Sequence, residues 1–274
     1  MRTRRKPWIS VAAVIVALLF LFPTYWMVST AFTPAGDITT SKYNLVPLSV
    51  TFQHFVTAVT RQHFAIYLRN SLFVTIAALL FSMIVGLLAA VPLARLRFHG
   101  RKGFMLLILV AQLAPFEALL VPYYLFMRHF GLDTSLTALI LIYFIFTLPF
   151  TVWTLRGFIH GIPEDLEEAA MVDGCGRWAA FWRVTFPLLG PGLVATSVYA
   201  FITAWNEFLY AFVFLQDNSK YTLPVWLSTF QTAFGTDWGG TMAASTLFTI
   251  PVLVFFLIVQ RNLVAGITAG AVKG

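Results

Sequence analysis

Charged residues are scarce in this chain. Only 11% of its 274 residues are Asp, Glu, Lys or Arg, whereas 59% are hydrophobic and the mean hydropathy is +0.82. Such a composition lies far outside the range of soluble globular domains. The net charge of +7 would suggest a nucleic-acid partner in a soluble protein. Here the basic residues cluster beside long apolar segments, so we expect them to set membrane topology, with no nucleic acid bound.

Several chemical motifs are also missing. The single cysteine, Cys175, excludes an internal disulfide. There is no G-x-x-x-x-G-K-[ST] run for a nucleotide, since GPGLVATS lacks the lysine. Neither the H-E-x-x-H of a zinc protease nor the G-x-S-x-G of a serine hydrolase is present. The chain offers no cofactor site of its own, and an uphill transporter built from it would need a separate ATPase.

Long apolar segments dominate what is present. About 20 uncharged residues are needed to cross a bilayer as a helix. Six segments meet this test, two of them with one acid each, and they predict an all-α integral membrane protein with six transmembrane helices: Ile9–Phe32, Ser71–Ala94, Phe104–Met127, Leu136–Leu155, Leu188–Leu215 and Thr241–Gln260. We read the first as a retained helix and not as a signal peptide, because its apolar core is too long and no convincing cleavage site follows it.

The distribution of Lys and Arg predicts the orientation. If both termini are cytoplasmic, 13 of the 18 basic residues lie on the cytoplasmic side. The remainder lie in outer segments: Lys42, Arg61, Arg69, Arg128 and Lys220. Because positive residues favour the cytoplasmic side, we expect a multi-pass protein of the cell (inner or plasma) membrane with both termini inside.

No soluble domain lies between the spans. We therefore treat residues 1–274 as a single transmembrane domain with a core at about 70–265. The longest outer segment, Thr33–Arg69, contains a predicted short amphipathic helix at TFQHFVTAV. The last outer segment, Gln216–Gly240, is long enough to meet a partner or to serve as a plain connector.

Polar side chains within the spans indicate a possible solute pathway. Acids inside a membrane are costly and usually face the protein interior or a wet cavity. Hydroxyls, an amide and aromatic faces suit a neutral polyhydroxylated solute, although interhelical hydrogen bonding explains such residues equally well. The candidates are Glu117, Tyr143, Thr147, Tyr199, Thr203, Asn206, Glu207 and Tyr210.

The cytoplasmic segment at about 157–187 holds five of the 11 acids: Glu164, Asp165, Glu167, Glu168 and Asp173. Pro163 suits the start of a helix, and the carboxylates that follow favour its positive end. Gly174 and Gly176 predict a sharp bend, after which a second helix at about Arg177–Phe186 carries Trp178, Phe181 and Trp182. The segment is either a docking element, since its small residues allow close approach, or a surface helix with solvated charges.

The spacing Glu168-Ala169-Ala170, three residues, Gly174, nine residues, Val184, one residue, Phe186-Pro187 resembles the EAA motif of ABC importer permeases. The usual pattern ends in Ile, one residue and Leu-Pro, so the chain departs from it only at Val184 and Phe186. Further stretches are similar to the carbohydrate-type permeases of that superfamily: FGLDTSLTALILIY, TFPLLGPGL, AWNEFLYA and GITAGAVKG.

This resemblance implies the type I ABC importer permease fold, with the EAA loop as a coupling helix seated in a cleft of an ATPase. Position by position it assigns coupling roles to Glu168, Ala169, Ala170, Asp173, Gly174 and Pro187. The implied partners are a second homologous permease subunit, two ATPase subunits that bind ATP and Mg, an extracytoplasmic solute-binding protein and the lipid bilayer.

The expected function is therefore that of a permease subunit in an ATP-driven sugar importer. One alternative is an ABC importer permease whose cargo is a polyamine, phosphate or amino acid. Few fixed charges line the spans, which argues against a charged cargo. Another is an intramembrane enzyme in which Glu117 or Glu207 is catalytic, although no recognised catalytic cluster supports it.

Overall fold

The computed structural model describes residues 7–38, 45–47, 49–60, 63–232 and 235–271, and within these ranges the side chains of residues 8–260. Several cations on which the predicted orientation depends lie outside the described residues or side chains: Arg2, Arg4, Arg5, Lys6, Lys42, Arg61, Arg261 and Lys273. The secondary structure that is described is almost entirely helical, which confirms the all-α prediction.

The helices in chain order are α1 (Pro7–Ala31), α2 (Ala35–Ile38), α3 (Gln53–Thr60), α4 (Phe64–Arg95), α5 (Arg101–Leu113), α6 (Leu120–His129), α7 (Leu136–Gly161), α8 (Asp165–Val172), α9 (Arg177–Ala180), α10 (Phe186–Leu188), α11 (Gly190–Trp205), α12 (Leu209–Phe214), α13 (Leu223–Ser228) and α14 (Trp238–Ala271). Two 3-10 turns, Phe116–Leu119 and Asn218–Lys220, precede α6 and α13, and a π-helical turn, Phe181–Thr185, joins α9 to α10. Strands β1 (Gln231–Thr232) and β2 (Gly235–Thr236) form a short antiparallel pair.

Four helices are long and apolar enough to cross a membrane unbroken: Trp8–Ala31, Phe64–Arg95, Leu136–Gly161 and Trp238–Gln260. Two further spans consist of bent helix pairs, so the six predicted spans are present only if each pair counts as one. Arg101–Leu113 and Phe116–His129 meet at 91°, and Arg177–Leu188 and Gly190–Trp205 meet at 68°.

The predicted segment Phe104–Met127 is therefore not one continuous helix. Ala114 has the extended conformation, with φ −65° and ψ 126°, and it directly precedes Pro115. Proline disfavours the helical conformation for its predecessor and lacks the N–H that would continue the helix. The local sequence therefore favours a break here, although Pro92 of α4 and Pro149 of α7 lie inside continuous helices.

One compact unit of the structure contains the described part of residues 1–65 together with Trp226–Pro251. Asp237 directly precedes α14, and its carboxylate accepts the N–H of Gly240 at 2.9 Å. The predicted amphipathic helix in the first outer segment is present as α3, and His54 on it lies 3.0 Å from the carbonyl oxygen of Thr33. The ring of Phe32 packs on the rings of Phe52 and Phe55.

The second unit contains Ile66–Val225 and the described part of residues 252–274. Helices α4 and α7 approach closely where Gly86 faces Thr151, and Ser82 shares a buried hydrogen bond of 3.0 Å with the Thr151 hydroxyl. Helices α7 and α11 approach in the same way where Gly192 faces the ring of Phe158. Small residues that allow such close approach are typical of helix packing in membranes.

Candidate coupling loop and transport pathway

Helix α8 begins in an acidic turn. Asp165, Glu167 and Glu168 lie in its first turn, where the helix dipole favours negative charge. Along the helix, exposure alternates with helical periodicity. Asp165, Glu168, Ala169 and Val172 are exposed and share one face, and Val172 exposes 87% of its surface. We call these four residues the exposed face of α8.

The opposite side of α8 is partly covered by the rest of the protein. Glu167, Ala170 and Met171 follow each other at helical spacing and are half-buried. The predicted coupling residues therefore divide into two groups. Glu168 and Ala169 point away from the protein, as do Asp173 and Gly174 just beyond the helix, whereas Ala170 is turned partly inward.

The bend after α8 is built as the sequence predicted. Gly174 has φ +90°, in the left-handed region that glycine adopts without strain. The N–H of Cys175 donates to the carbonyl of Ala170 at 3.0 Å, and that of Gly174 donates to Met171 at 3.1 Å. This pair of bonds is the Schellman motif, which ends a helix and reverses the chain.

The segment after the bend is helical but not uniform. The predicted helix Arg177–Phe186 contains a π-helical turn, in which the N–H of Phe186 donates to the carbonyl of Phe181. Trp178 and Trp182 are exposed and pack against Phe181, which is buried. Pro187 lies inside α10, and the bend into the fifth span follows at Leu189.

One polar cluster in this loop was not predicted from the sequence. Arg95, the last residue of α4, donates from Nε and Nη2 to Oε1 of Glu167 at 3.0 and 2.9 Å. The hydroxyl of Thr185 donates to the same oxygen. From the sequence, Arg95 is one of the 13 basic residues whose distribution predicts the orientation. The sequence signal that was missed is an arginine at the end of one span, on the same predicted side of the membrane as the acid-rich loop.

A second polar cluster joins three of the predicted pathway residues. Glu207 follows the end of α11, and its carboxylate accepts the hydroxyl of Tyr143 as well as the N–H groups of Tyr210 at 2.8 Å and Ala211 at 3.2 Å. The hydroxyl of Tyr210 donates in turn to the carbonyl of Phe116 at 2.6 Å. Glu207 therefore caps the N-terminus of α12, and both of its carboxylate oxygens accept hydrogen bonds from within the protein.

The remaining pathway candidates are not gathered into one site. The Thr147 hydroxyl is buried and donates to the carbonyl of Tyr143 at 2.8 Å. Asn206 is exposed, and its side chain donates to Ile202 at 2.8 Å, while Tyr199 packs on Phe150 with ring centroids 3.9 Å apart. Thr203 is half-buried and Glu117 is exposed in the 3-10 turn.

The predicted span Leu188–Leu215 would carry Tyr199, Thr203, Asn206 and Tyr210 on one continuous helix. The structure ends α11 at Trp205 and starts α12 at Leu209, so Tyr210 does not continue the helix that carries Tyr199 and Thr203. Glu207 lies in this break, where its carboxylate caps α12 by accepting the N–H groups three and four residues ahead of it. Among the described residues, no group of three or more His, Cys, Asp or Glu side chains is placed to hold a metal ion.

Comparisons with known proteins agree with the resemblance found in the sequence. The chain is 49% identical over 269 residues to the diacetylchitobiose uptake system permease protein DasC of Streptomyces coelicolor, with 98% of each chain covered. It is 34% identical to the trehalose/maltose transport system permease protein MalG of Thermococcus litoralis, covering 96% of this chain and 95% of that one.

The fold agrees as well. A chain in the crystal structure of a bacterial ABC transporter involved in the import of the acidic polysaccharide alginate superimposes with a TM-score of 0.78 at 23% identity, covering 95% of this chain and 98% of that chain. Residues 82–269 match the family model of the binding-protein-dependent transport system inner membrane component. The protein therefore belongs to this family of membrane-embedded ABC importer permeases, which are transport subunits and not enzymes.

Proposed function

We propose that the protein is the permease subunit of an ATP-driven sugar importer and that the exposed face of α8 docks on a cytoplasmic ATPase. The observation that carries the docking proposal is the division of α8 into an exposed acidic side and a side held by the protein. A loop that only connects two spans does not need one side of its helix bound to the protein. A helix that transmits a movement from an ATPase to the spans does need it. Gly174 then gives the loop its bend, and Pro187 lies where the loop passes into the fifth span.

The complex would contain a second homologous permease, two ATPase subunits that bind ATP and Mg²⁺, and an extracytoplasmic solute-binding protein. The family description, which makes transport dependent on a binding protein, supports the last of these. Both termini would be cytoplasmic, because the Lys and Arg distribution favours that side. The acids at Glu168 and Asp173 would then meet a basic surface of the ATPase, and complementary charge would fix the docking geometry.

We propose a sugar as the cargo because both sequence relatives described above bear the names of sugar transport systems. Diacetylchitobiose is the first sugar to test, since the relative named for it shares 49% identity. Tyr199, Thr203, Asn206 and Glu117 retain some exposure and would contact the solute during transport. Tyr143, Thr147, Glu207 and Tyr210 would support the pathway through the hydrogen bonds that they make with one another or with nearby backbone.

Affinity purification of the tagged chain from its own host, followed by mass spectrometry and uptake of labelled sugars, tests this function. We expect an ATPase, a second permease and a solute-binding protein to co-purify. Uptake of diacetylchitobiose, or of another neutral oligosaccharide in the panel, should exceed uptake of a polyamine. Glu168→Lys should abolish co-purification of the ATPase, because it reverses charge on the exposed face of α8.

Asp217→Lys is the matched control. It is an exposed acid as well, but it lies in the connection after the fifth span, where the N–H and hydroxyl of Ser219 lower the pKa of its carboxyl. This variant should retain the ATPase. If the wild-type chain co-purifies with no ATPase, or if Glu168→Lys retains both the ATPase and uptake, the docking proposal is wrong.

A further inference from the structure

Arg95 is the cation of both ion pairs found among the described residues. Only 11% of its side chain is exposed. In addition to its two bonds to Glu167, it donates from Nη1 to the carbonyl of Ile162 at 3.0 Å. Ile162 directly follows α7, so the guanidinium connects the end of α4 both to α8 and to the end of α7.

Glu167 is the acceptor at the centre of this cluster. Its Oε1 receives three donors, two from Arg95 and one from Thr185. Thr185 is completely buried and is the last residue of the π-helical turn. An inserted π turn rotates the residues that follow it, and such turns occur frequently at functional sites. Three separate parts of the chain thus meet at one carboxylate oxygen.

The neighbouring acid Glu164 forms a longer and more exposed ion pair with Arg95 than Glu167 does. Its carboxylate is 3.7 Å from Arg95, and 60% of its side chain is exposed, against 21% for Glu167. Hydrogen bonds between ionised groups are roughly twice as strong as neutral ones, and burial strengthens them further. Exposed pairs contribute little. Only the pair of Arg95 and Glu167 can therefore hold α8 firmly.

Buried apolar side chains surround the pair of Arg95 and Glu167. A buried cluster beside the pair contains Ala90 and Ala94 of α4, Leu155 and Ile159 of α7, and Phe181 and Leu189 of the segment after the bend. The inner side of α8 is consequently linked by directional bonds to a packed region that includes two membrane spans. The exposed face of α8 stays free.

We propose that Arg95, Glu167 and Thr185 are positioning residues that make α8 and the cytoplasmic end of α4 move together. The inference rests on the function proposed above. When an ATPase displaces α8, these bonds transmit the displacement to the second span. Without them α8 still docks, but the spans no longer follow it, and ATP is hydrolysed without transport.

The test measures ATP hydrolysis and sugar uptake by the complete complex, with its binding protein, in proteoliposomes. Glu167→Gln removes the charge but keeps an amide oxygen for Thr185, and Thr185→Val removes only the hydroxyl. Coupling energies of the usual size change an equilibrium by about 5-fold to 150-fold. We expect Glu167→Gln to raise the number of ATP molecules hydrolysed per sugar by about fivefold or more. Thr185→Val should raise the same ratio to a smaller extent.

Glu164→Gln is the matched control, because it removes an equally charged neighbour that makes no short bond to Arg95. It should keep the wild-type ratio. The exchanged pair, Arg95→Glu with Glu167→Arg, should bring the ratio closer to wild type than either single reversal does. If the variants assemble with the ATPase and all keep the wild-type ratio, the proposal is overturned.

A purely structural role gives a different result. It lowers the amount of assembled complex while each assembled complex transports at the wild-type ratio, and this too overturns the proposal. Should Glu167→Gln assemble poorly, the ratio measured for Thr185→Val, which keeps the shape of the side chain, decides the question. Failure of the function proposed above is recognised separately, because the wild-type complex would then show no sugar-stimulated hydrolysis.

Discussion

Gly174 and Gly176 bracket the bend of the coupling loop and differ in one respect. A Cβ added at either position meets nothing within 4 Å, but only Gly174 has a left-handed φ, at +90°. The sequence analysis predicted both glycines as parts of one bend and did not distinguish them. The distinction depends on the Schellman motif, whose geometry places the left-handed residue directly after the C-cap.

Gly174→Ala should therefore destabilise the protein by about 1 kcal/mol, since an L-residue in the left-handed conformation costs roughly 1–2 kcal/mol and a stiffer unfolded chain offsets part of this. Gly176→Ala, at φ −69°, should be neutral within about 0.5 kcal/mol. Thermal unfolding of the two variants in the same detergent measures the difference. Equal melting temperatures would show that the bend carries no conformational strain.

Other residue-scale features were predictable only in part. Tyr143 and Glu207 were both predicted as pathway residues, and the structure joins them by a direct hydrogen bond. Their roles were not evident, because Glu207 caps a helix that the sequence pattern did not separate from α11. Arg95 was missed for a related reason, since a cation at the end of a span is equally well explained by topology.

The helical elements themselves followed largely from the sequence. Hydrophobic length located the spans because a bilayer imposes a minimum on it. The two bends were not located, because a proline does not by itself mark one: Pro115 lies at a bend, whereas Pro92 and Pro149 lie inside continuous helices. The small residues that allow helices to approach were also not identified, since nothing in the pattern distinguishes a packed glycine from an exposed one.

Gly86 shows what such a glycine does. A Cβ there would lie 2.5 Å from Cγ2 of Thr151, on a β-branched side chain that cannot turn away without losing its buried bond to Ser82. Gly86→Ala should destabilise the packing of α4 on α7 by about 1–3 kcal/mol, as overfilled cores do. The melting temperature of the purified protein should fall accordingly.

Gly157 of α7 is the matched control, since a Cβ added there meets nothing within 4 Å. Gly157→Ala should stabilise the helix by about 0.5–1 kcal/mol, because alanine loses less backbone entropy than glycine. A result in which both variants are stabilised would mean that α4 and α7 are further apart than the structure has them.

At the scale of the whole molecule, the exposed face of α8 can dock on an ATPase only if the two lie on the same side of the membrane. The sequence predicts this side from a bias of 13 to 5 in Lys and Arg. Part of that bias comes from residues outside the described structure. The prediction therefore needs a direct measurement of which loops face the cytoplasm.

The lone cysteine makes that measurement simple. In a Cys175→Ser background, Val172→Cys places a thiol on the exposed face of α8, at a position that is 87% exposed. Asn218→Cys places one in the exposed connection after the fifth span.

A membrane-impermeant maleimide is added to intact cells that carry either variant. We expect it to label Asn218→Cys at once and Val172→Cys only after the membrane is permeabilised. The reason is that one span separates the two positions, so they lie on opposite sides of the membrane. Labelling both variants after full denaturation controls for thiol reactivity. The reverse pattern would place α8 outside the cell, where no ATPase can reach it, and would refute the orientation together with the docking of α8.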